Sequence, residues 1–404
     1  MKPGSESASD AGGLVGPDVV AACALSAVPG IGATAMARIT QMFGGFSGAL
    51  EAGAAKIAKA GLDLQLRQDT VDYLNRKPDL EELGLWAVSA AKGAGARICV
   101  LGDPWYPPLL RQIDNPPPVL YVRGQLEPDT LRIALVGARD SDDYGLELAR
   151  DLAEGLAAAG VQVVSGGARG IDAAVHAGAL WGQGSTVAVL GCGIDIVYPP
   201  ENAALFDRLA RGGGAVVSEF PPGTSPDKRN FPRRNRTLSG LSSAVVVIRA
   251  AAGSGSLIPA NHAALQGRPI FAVPGAADEP LSAGPNALLT ADAARAVTSA
   301  KDILFGLGWP IPETLNDREP KRKKKPRSFA PAQPVRAAQP DAVVLDAEER
   351  KLFEALDEKA PQHVDELSVR TGVPVAIALA KLSELELKGL ATQRPGKYFL
   401  RRLS

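Results

Sequence analysis

A chain of 404 residues that sets 44 Lys plus Arg against 44 Asp plus Glu has no net charge, so no global field marks it as a binder of polyanions. Hydrophobic residues at 46% and charged residues at 22% are ordinary for a folded soluble protein, and the length favours two or three domains over one core. Three scattered cysteines (Cys23, Cys99, Cys192) exclude a disulfide scaffold and a multi-cysteine zinc site and fit a reducing cytoplasm, and no run of 18 apolar residues offers a membrane span.

Residues 1–16 are small and polar and read as a disordered tail. Residues 17–95 are Ala-rich with helical periodicity. Within them LSAVPGIGATAMARITQMFGG has a helix–PGIG–helix form, centred on Pro29, Gly30, Ile31 and Gly32. Such a hairpin presents backbone N–H groups that can hold a DNA phosphate without reading bases. Residues 1–90 carry seven basic and ten acidic side chains, so a structural or protein-docking role stands beside that reading. The Pro- and aromatic-rich stretch from Leu101 to Gly124 reads as a connector wrapped against a domain, because proline cannot continue a helix.

From Arg132 short Val/Ile/Leu-rich runs alternate with helical patterns. The runs are RIALVGAR, VQVVSGG, STVAVLGCG, GAVVSEF, SAVVVIRA and PIFAVPG, with helices expected at about 143–159, 170–183, 202–212, 231–243 and 255–267. Runs that are continuously apolar belong to strands buried on both faces, so this α/β segment, residues 96–310, should form a doubly wound, mostly parallel sheet of Rossmann type. Residues 311–342 are basic and rich in Pro and Ala, and should be a linker. Residues 343–404 hold three helical patterns and a Gly-turn hairpin, the layout of a winged helix.

In an open parallel sheet, ligands bind outside the carboxyl ends of the strands. Strand one ends in Gly137-Ala138-Arg139, and strand two in Ser165, Gly166, Gly167, Ala168, Arg169, Gly170. Glycine-rich loops that open helices, beside two arginines, suit a phosphate. Neither the G-x-G-x-x-G dinucleotide pattern nor the P-loop spacing occurs, and no cofactor or metal site is expected. From Lys228 to Ala277 there is no Asp or Glu, against about one acid in nine residues over the chain. That segment opens with Lys228, Arg229, Phe231, Arg233, Arg234, Asn235 and Arg236: cations for phosphates around an aromatic on which a base can stack. Ser165, Asp172 and His176 lie within twelve residues of one another, but the G-x-S-x-G elbow that exposes a nucleophile is missing, so no catalytic residue is assigned.

The strings VVSGGARGIDAAVHAGAL, AVLGCGIDIVYPPEN, SEFPPGTSPDKRNFPRRNRTLSGLSSAVVVI and SGSLIPANHAALQGRPIFAVPG resemble those of the bacterial DNA-processing family DprA, also called Smf. The resemblance implies a SAM-like or helix-hairpin-helix N-domain, an extended Rossmann core and a winged helix. It also implies a cytoplasmic, non-enzymatic protein that binds single-stranded DNA without strong sequence preference. Such a protein would protect incoming strands in natural transformation, load the RecA recombinase, and form a homodimer through the Rossmann-like core. By motif, the DNA site would include Arg139, Ser165, Gly166, Gly170, Lys228, Phe231, Asn235 and Arg236. Three departures stand out: Ala138 for a serine, Pro259 for a threonine, and Arg249 for an acid, the last expected to make the rim more basic. The rival reading, an N-glycosidase-like nucleotide-processing enzyme on the same sheet, lacks its P-G-G-x-G-T-x-x-E motif. A third, DNA reading by the winged helix, is disfavoured by its near-balanced charge and the apolar, acidic helix VAIALAKLSELELK.

Overall fold

A computed structural model describes residues 16–316, 345–357, 360–387, 390–394 and 397–401. Of the expected tail at 1–16 and the expected linker at 311–342, residues 1–15 and 317–342 lie outside those residues, while the first part of the linker stretch, expected to lack structure, contains a short helix at Glu313–Asn316. The chain separates into two units, residues 1–323 and 324–404.

The first unit opens with five helices: α1 (Pro17–Ala27), α2 (Ala33–Phe43), α3 (Phe46–Lys59), α4 (Gln68–Asn75) and α5 (Leu80–Gly93). The PGIG segment joins α1 to α2. Then come β1 (Arg97–Val100), the short α6 (Pro108–Arg111) and β2 (Val119–Gly124). The alternating segment supplies β3 (Arg132–Val136), α7 (Asp143–Ala158), β4 (Gln162–Ser165), α8 (Ile171–Trp181), β5 (Thr186–Leu190), α9 (Ala203–Arg211), β6 (Ala215–Ser218) and α10 (Asn230–Gly240). It continues through β7 (Ala244–Val247), α11 (Ile258–Leu265), β8 (Ile270–Ala272), α12 (Ala283–Thr290), β9 (Arg295–Ala296), α13 (Ala300–Gly306) and α14 (Glu313–Asn316). All six apolar runs are strands.

The sheet has nine strands in the order β1-β2-β6-β5-β4-β3-β7-β8-β9. Its seven central and distal strands run parallel, while β1 and β2 pair antiparallel at one end. Successive residues of one strand enter opposite cores, which is why the runs lack polar alternation. Ile133 and Leu135 pack under α7 and α8, with Leu152, Leu156 and Val175. Ala134 and Val136 pack on the other face, with Leu238 and Leu241 around the end of α10 and Ala260 and Ala263 of α11.

The segment from Leu101 to Gly124 departs from the expected connector, because its end is strand β2, which pairs with β1 and with β6. The prolines sit in the turn between the two strands, and the run VLYV is free of them and fully buried. The helical N-region is seated on this extension. Ala22 and Cys23 of α1 and Ala87 and Ala91 of α5 share a core with Val100, Tyr121 and Val216.

The second unit contains α15 (Ala347–Ala355), β10 (Gln362–His363), α16 (Val364–Thr371), α17 (Val375–Leu387), β11 (Ala391–Arg394) and β12 (Tyr398–Arg401). Its three short strands are ordered β10-β12-β11, and Leu352, Leu367, Leu382 and Phe399 form a core of their own. This is a winged helix. Among the described residues, no helix is long and apolar enough to cross a membrane.

Candidate nucleic-acid interface

The loops after β3, β4, β5 and β6 converge at the carboxyl rim of the sheet, and the start of α10 lies among them. Phe231 is the centre of this rim. Its ring lies against Gly191, at the end of β5, so closely that a Cβ there would come within 2.9 Å of it. The exposed guanidinium of Arg139 lies 4.9 Å from the ring centroid, and the Tyr198 ring lies 6.3 Å away, tilted by 37°. Tyr198 is 41% exposed, so the two rings form an open aromatic platform beside a cation. An exposed cation–π contact contributes about 0.5–1 kcal/mol, whereas a base stacked on an aromatic contributes ~1–3 kcal/mol. A base can therefore displace Arg139 from the ring and leave it free for the adjacent phosphate. Tyr198 belongs to none of the glycine-rich or basic motifs from which the sequence points to a phosphate site. Its place just beyond the Gly191-Cys192-Gly193 rim loop was the available signal.

The basic cluster divides on folding. Arg234 is buried: it donates to the carbonyls of Gly166 and Val189, the latter at 2.6 Å, and its Nε donates to the Asn235 side-chain oxygen at 3.0 Å. Asn235 is itself buried. Arg234 ties the loop after β4 to the end of β5 from beneath, Asn235 accepts from its Nε, and neither faces solvent. Arg233 and Arg236 lie on another side of α10, Arg233 exposed and 4.9 Å over Phe220, Arg236 half-buried and 3.6 Å from Glu219. Arg229 pairs with Asp227 at 2.9 Å, and Arg169 pairs with Glu201. These exposed pairs contribute little and open easily. Arg139, Lys228 and Arg233 have no ion-pair partner among the described residues. The acid-free stretch is thus compensated from outside, through Asp227, Glu219 and Asp142.

The remaining predicted residues are structural at the rim. Ser165 is buried, and its hydroxyl donates to the Leu135 carbonyl at 2.8 Å. Gly166 is packed against Arg234 and Asp172: a Cβ there would meet the Arg234 guanidinium at 2.4 Å. Gly170 has φ +71°, and a Cβ would lie 2.4 Å from the Arg139 carbonyl, so only glycine lets these two loops touch. Burial pushes the Asp172 carboxyl up, against the pull of the Arg234 cation and the Ala168 N–H. His176 Nδ1 bonds Thr186 at 2.8 Å, whose hydroxyl donates to the Val163 carbonyl. Thr186 therefore accepts from His176, and the imidazole is neutral, its pKa driven by burial down to about 3. Ser165, Asp172 and His176 form no relay.

Two departures resolve. Arg249 was expected to make the rim more basic, but it is buried, donates to Asp142 at 2.7 Å and to Ser282, and lies 5.0 Å over Tyr144. Burial would raise the Asp142 carboxyl, yet the Gly145 N–H and Arg249 hold it below the usual range. The charge is paired with the partly exposed Asp142 and does not stand free at the rim. Pro259 lies in the first turn of α11, where its missing N–H costs no hydrogen bond.

Residues 97–308 match the DNA recombination-mediator protein A family, and residues 336–397 match the DprA winged helix domain. Protein Smf of Escherichia coli K12 is 40% identical over 299 residues, covering 73% of this chain and 74% of its own. Protein Smf of Synechocystis is 35% identical over 322 residues, covering 74% and 79%. The X-ray structure of DNA processing protein A (DprA) from Streptococcus pneumoniae superposes with a TM-score of 0.54 at 28% identity, over 72% of this chain and 98% of that one.

Proposed function

Since the chain belongs to the DNA recombination-mediator protein A family, also named DprA or Smf, we propose that it binds single-stranded DNA at the carboxyl rim of its sheet, without strong sequence preference. The observation that carries this reading is the platform of Phe231 and Tyr198 with Arg139 beside it. Arg139 and Lys228, with Arg169 once it leaves Glu201, take the phosphates. Unpaired bases stack on the rings. Stacking on a ring and pairing with phosphates read no base edge, so any base suffices. A duplex hides its bases in the stack and offers this platform only phosphates, so it binds more weakly. A strand held along the rim is shielded from nucleases, and a homodimer through the Rossmann-like core would carry two such tracks for transfer to the RecA recombinase. No part of this cytoplasmic reading requires bond-making chemistry.

The test is anisotropy binding of an oligothymidylate and of a matched duplex across a salt series. Wild type should prefer the single strand. Arg139→Gln and Lys228→Gln should each reduce the slope of log K against log salt by about 0.7, the value for one phosphate contact on a single strand. Phe231→Ala should cost ~1–3 kcal/mol of stacking and leave the slope unchanged. Equal affinity for single strand and duplex, insensitive to these substitutions, would overturn the proposal. Faster RecA filament assembly on a strand pre-bound by the protein is the matching check of the hand-over.

A further inference from the structure

The helix-hairpin-helix turn and the basic helix were separate motifs in the sequence, 200 residues apart, and the fold brings them face to face. Between them lies an open cleft of about 470 Å³, within the range of about 300–1,000 Å³ common for ligand sites. Gly32, Ala33 and Arg38 line one wall, and Arg233, Arg236 and His262 line the other. Among the described residues, no carboxylate lines it. The only acid in ion-pair range of these arginines among the described residues is Glu219, which lies 3.6 Å from Arg236, beyond hydrogen-bond distance. The Nε of Arg236 is buried and has no hydrogen-bond partner among the described residues. Arg38 donates to the Leu64 carbonyl at 3.3 Å, which fixes its side chain at the mouth. Opposite Arg233 and Arg236, α2 begins after its N-cap Gly32 with no side-chain cap and no acid in its first turn, so its first amides add partial positive charge to the same space. Burial lowers the His262 pKa, so that ring is a neutral polar wall at pH 7.

We propose that this cleft is a second phosphate site, which takes a phosphodiester of the same single strand that crosses the rim. The inference rests on the function proposed above and adds where the strand goes next. Residues 231, 234 and 235 of α10 serve the rim, while residues 232, 233 and 236 serve the cleft. A strand leaving the Phe231 platform passes over Arg233 and reaches the cleft after about one helix diameter, ~10 Å. The hairpin's phosphate-holding geometry and its own Arg38 are thereby joined by Arg233 and Arg236 of α10.

Strand length separates the two sites. Oligothymidylates from about 4 to 16 nucleotides, the span of single-strand site sizes, are titrated against full-length wild type, Arg38→Gln, Arg233→Gln and Arg139→Gln. On the shortest oligomer the two cleft variants should bind as wild type does, while Arg139→Gln binds more weakly. On the longest, each cleft variant should lose about tenfold in affinity, as expected for one charge-assisted hydrogen bond. Its salt slope should also fall by about 0.7. If Arg38→Gln lowers the melting temperature, Arg233→Gln, whose side chain is exposed, carries the comparison. Cleft variants that match wild type at every length, or that weaken all lengths equally, would overturn the second site and leave the rim intact. A wild type indifferent to single strands, with Arg139→Gln unchanged as well, would remove both.

Discussion

Arg234 illustrates why residue type alone does not assign a contact. Its guanidinium lies under the rim, bonded to the carbonyls of Gly166 in the loop after β4 and Val189 in β5 and close to Asp172, and a phosphate cannot reach it. Replacing it with Met would strand those acceptors and an uncompensated carboxylate, so Arg234→Met should cost about 3–5 kcal/mol of stability by denaturant unfolding. A DNA-affinity loss at unchanged stability would contradict the buried role. His176 makes a pH prediction. The unfolded chain takes a proton near the ordinary value of 6.5, and the folded chain only near 3, so the unfolded state binds more protons between those limits. Stability should therefore be independent of this residue above pH 6.5 and fall as pH drops toward 3, by up to about 1.4 kcal/mol per unit. His176→Gln should lower stability at pH 7 yet flatten that decline. Equal slopes for the two proteins would show that His176 is not the group responsible.

At the scale of elements, α10 carries opposed demands. Cations crowd its first turn, where the helix dipole already presents positive charge; each is worth about 0.3–1 kcal/mol against the helix. A bound polyanion removes that repulsion. Single-stranded DNA should consequently raise the melting temperature in low salt, and saturation at about 100 times Kd should stabilise by ~2.7 kcal/mol; no shift under saturating DNA would contradict binding to the folded state. The contact between α1 and α5 is a second element-level constraint. A Cβ at Gly84 would lie 2.4 Å from the Val20 carbonyl, so the helices touch along their backbones. Gly84→Leu should overpack the seam and cost about 1–3 kcal/mol, measured by thermal melting. Because those helices rest on β2, the damage should reach the sheet edge. The strand runs and helices were legible in sequence because each run fills both faces of the sheet. The pairing of β2 was hidden because the flanking prolines dominated the local pattern.

For the whole molecule, the two units have separate cores, and the rim and cleft both lie in the first. Removing residues 317–404 should leave most single-strand affinity in place; complete loss would move the main contact to the winged helix. The sequence by itself determined the parallel sheet, the winged helix and the family, and it pointed to the loops at the strand ends where the phosphate rim is proposed, because periodicity and glycine placement are local properties of the chain. Only the tertiary structure decided which cations remain available. Arg139, Lys228 and Arg233 stay without carboxylate partners among the described residues, while Arg234 and Arg249 are consumed inside. It also brought Tyr198 to Phe231 and Arg38 to Arg233. Burial and long-range pairing set the free charge at each point, and a count that sums to zero over the chain contains neither.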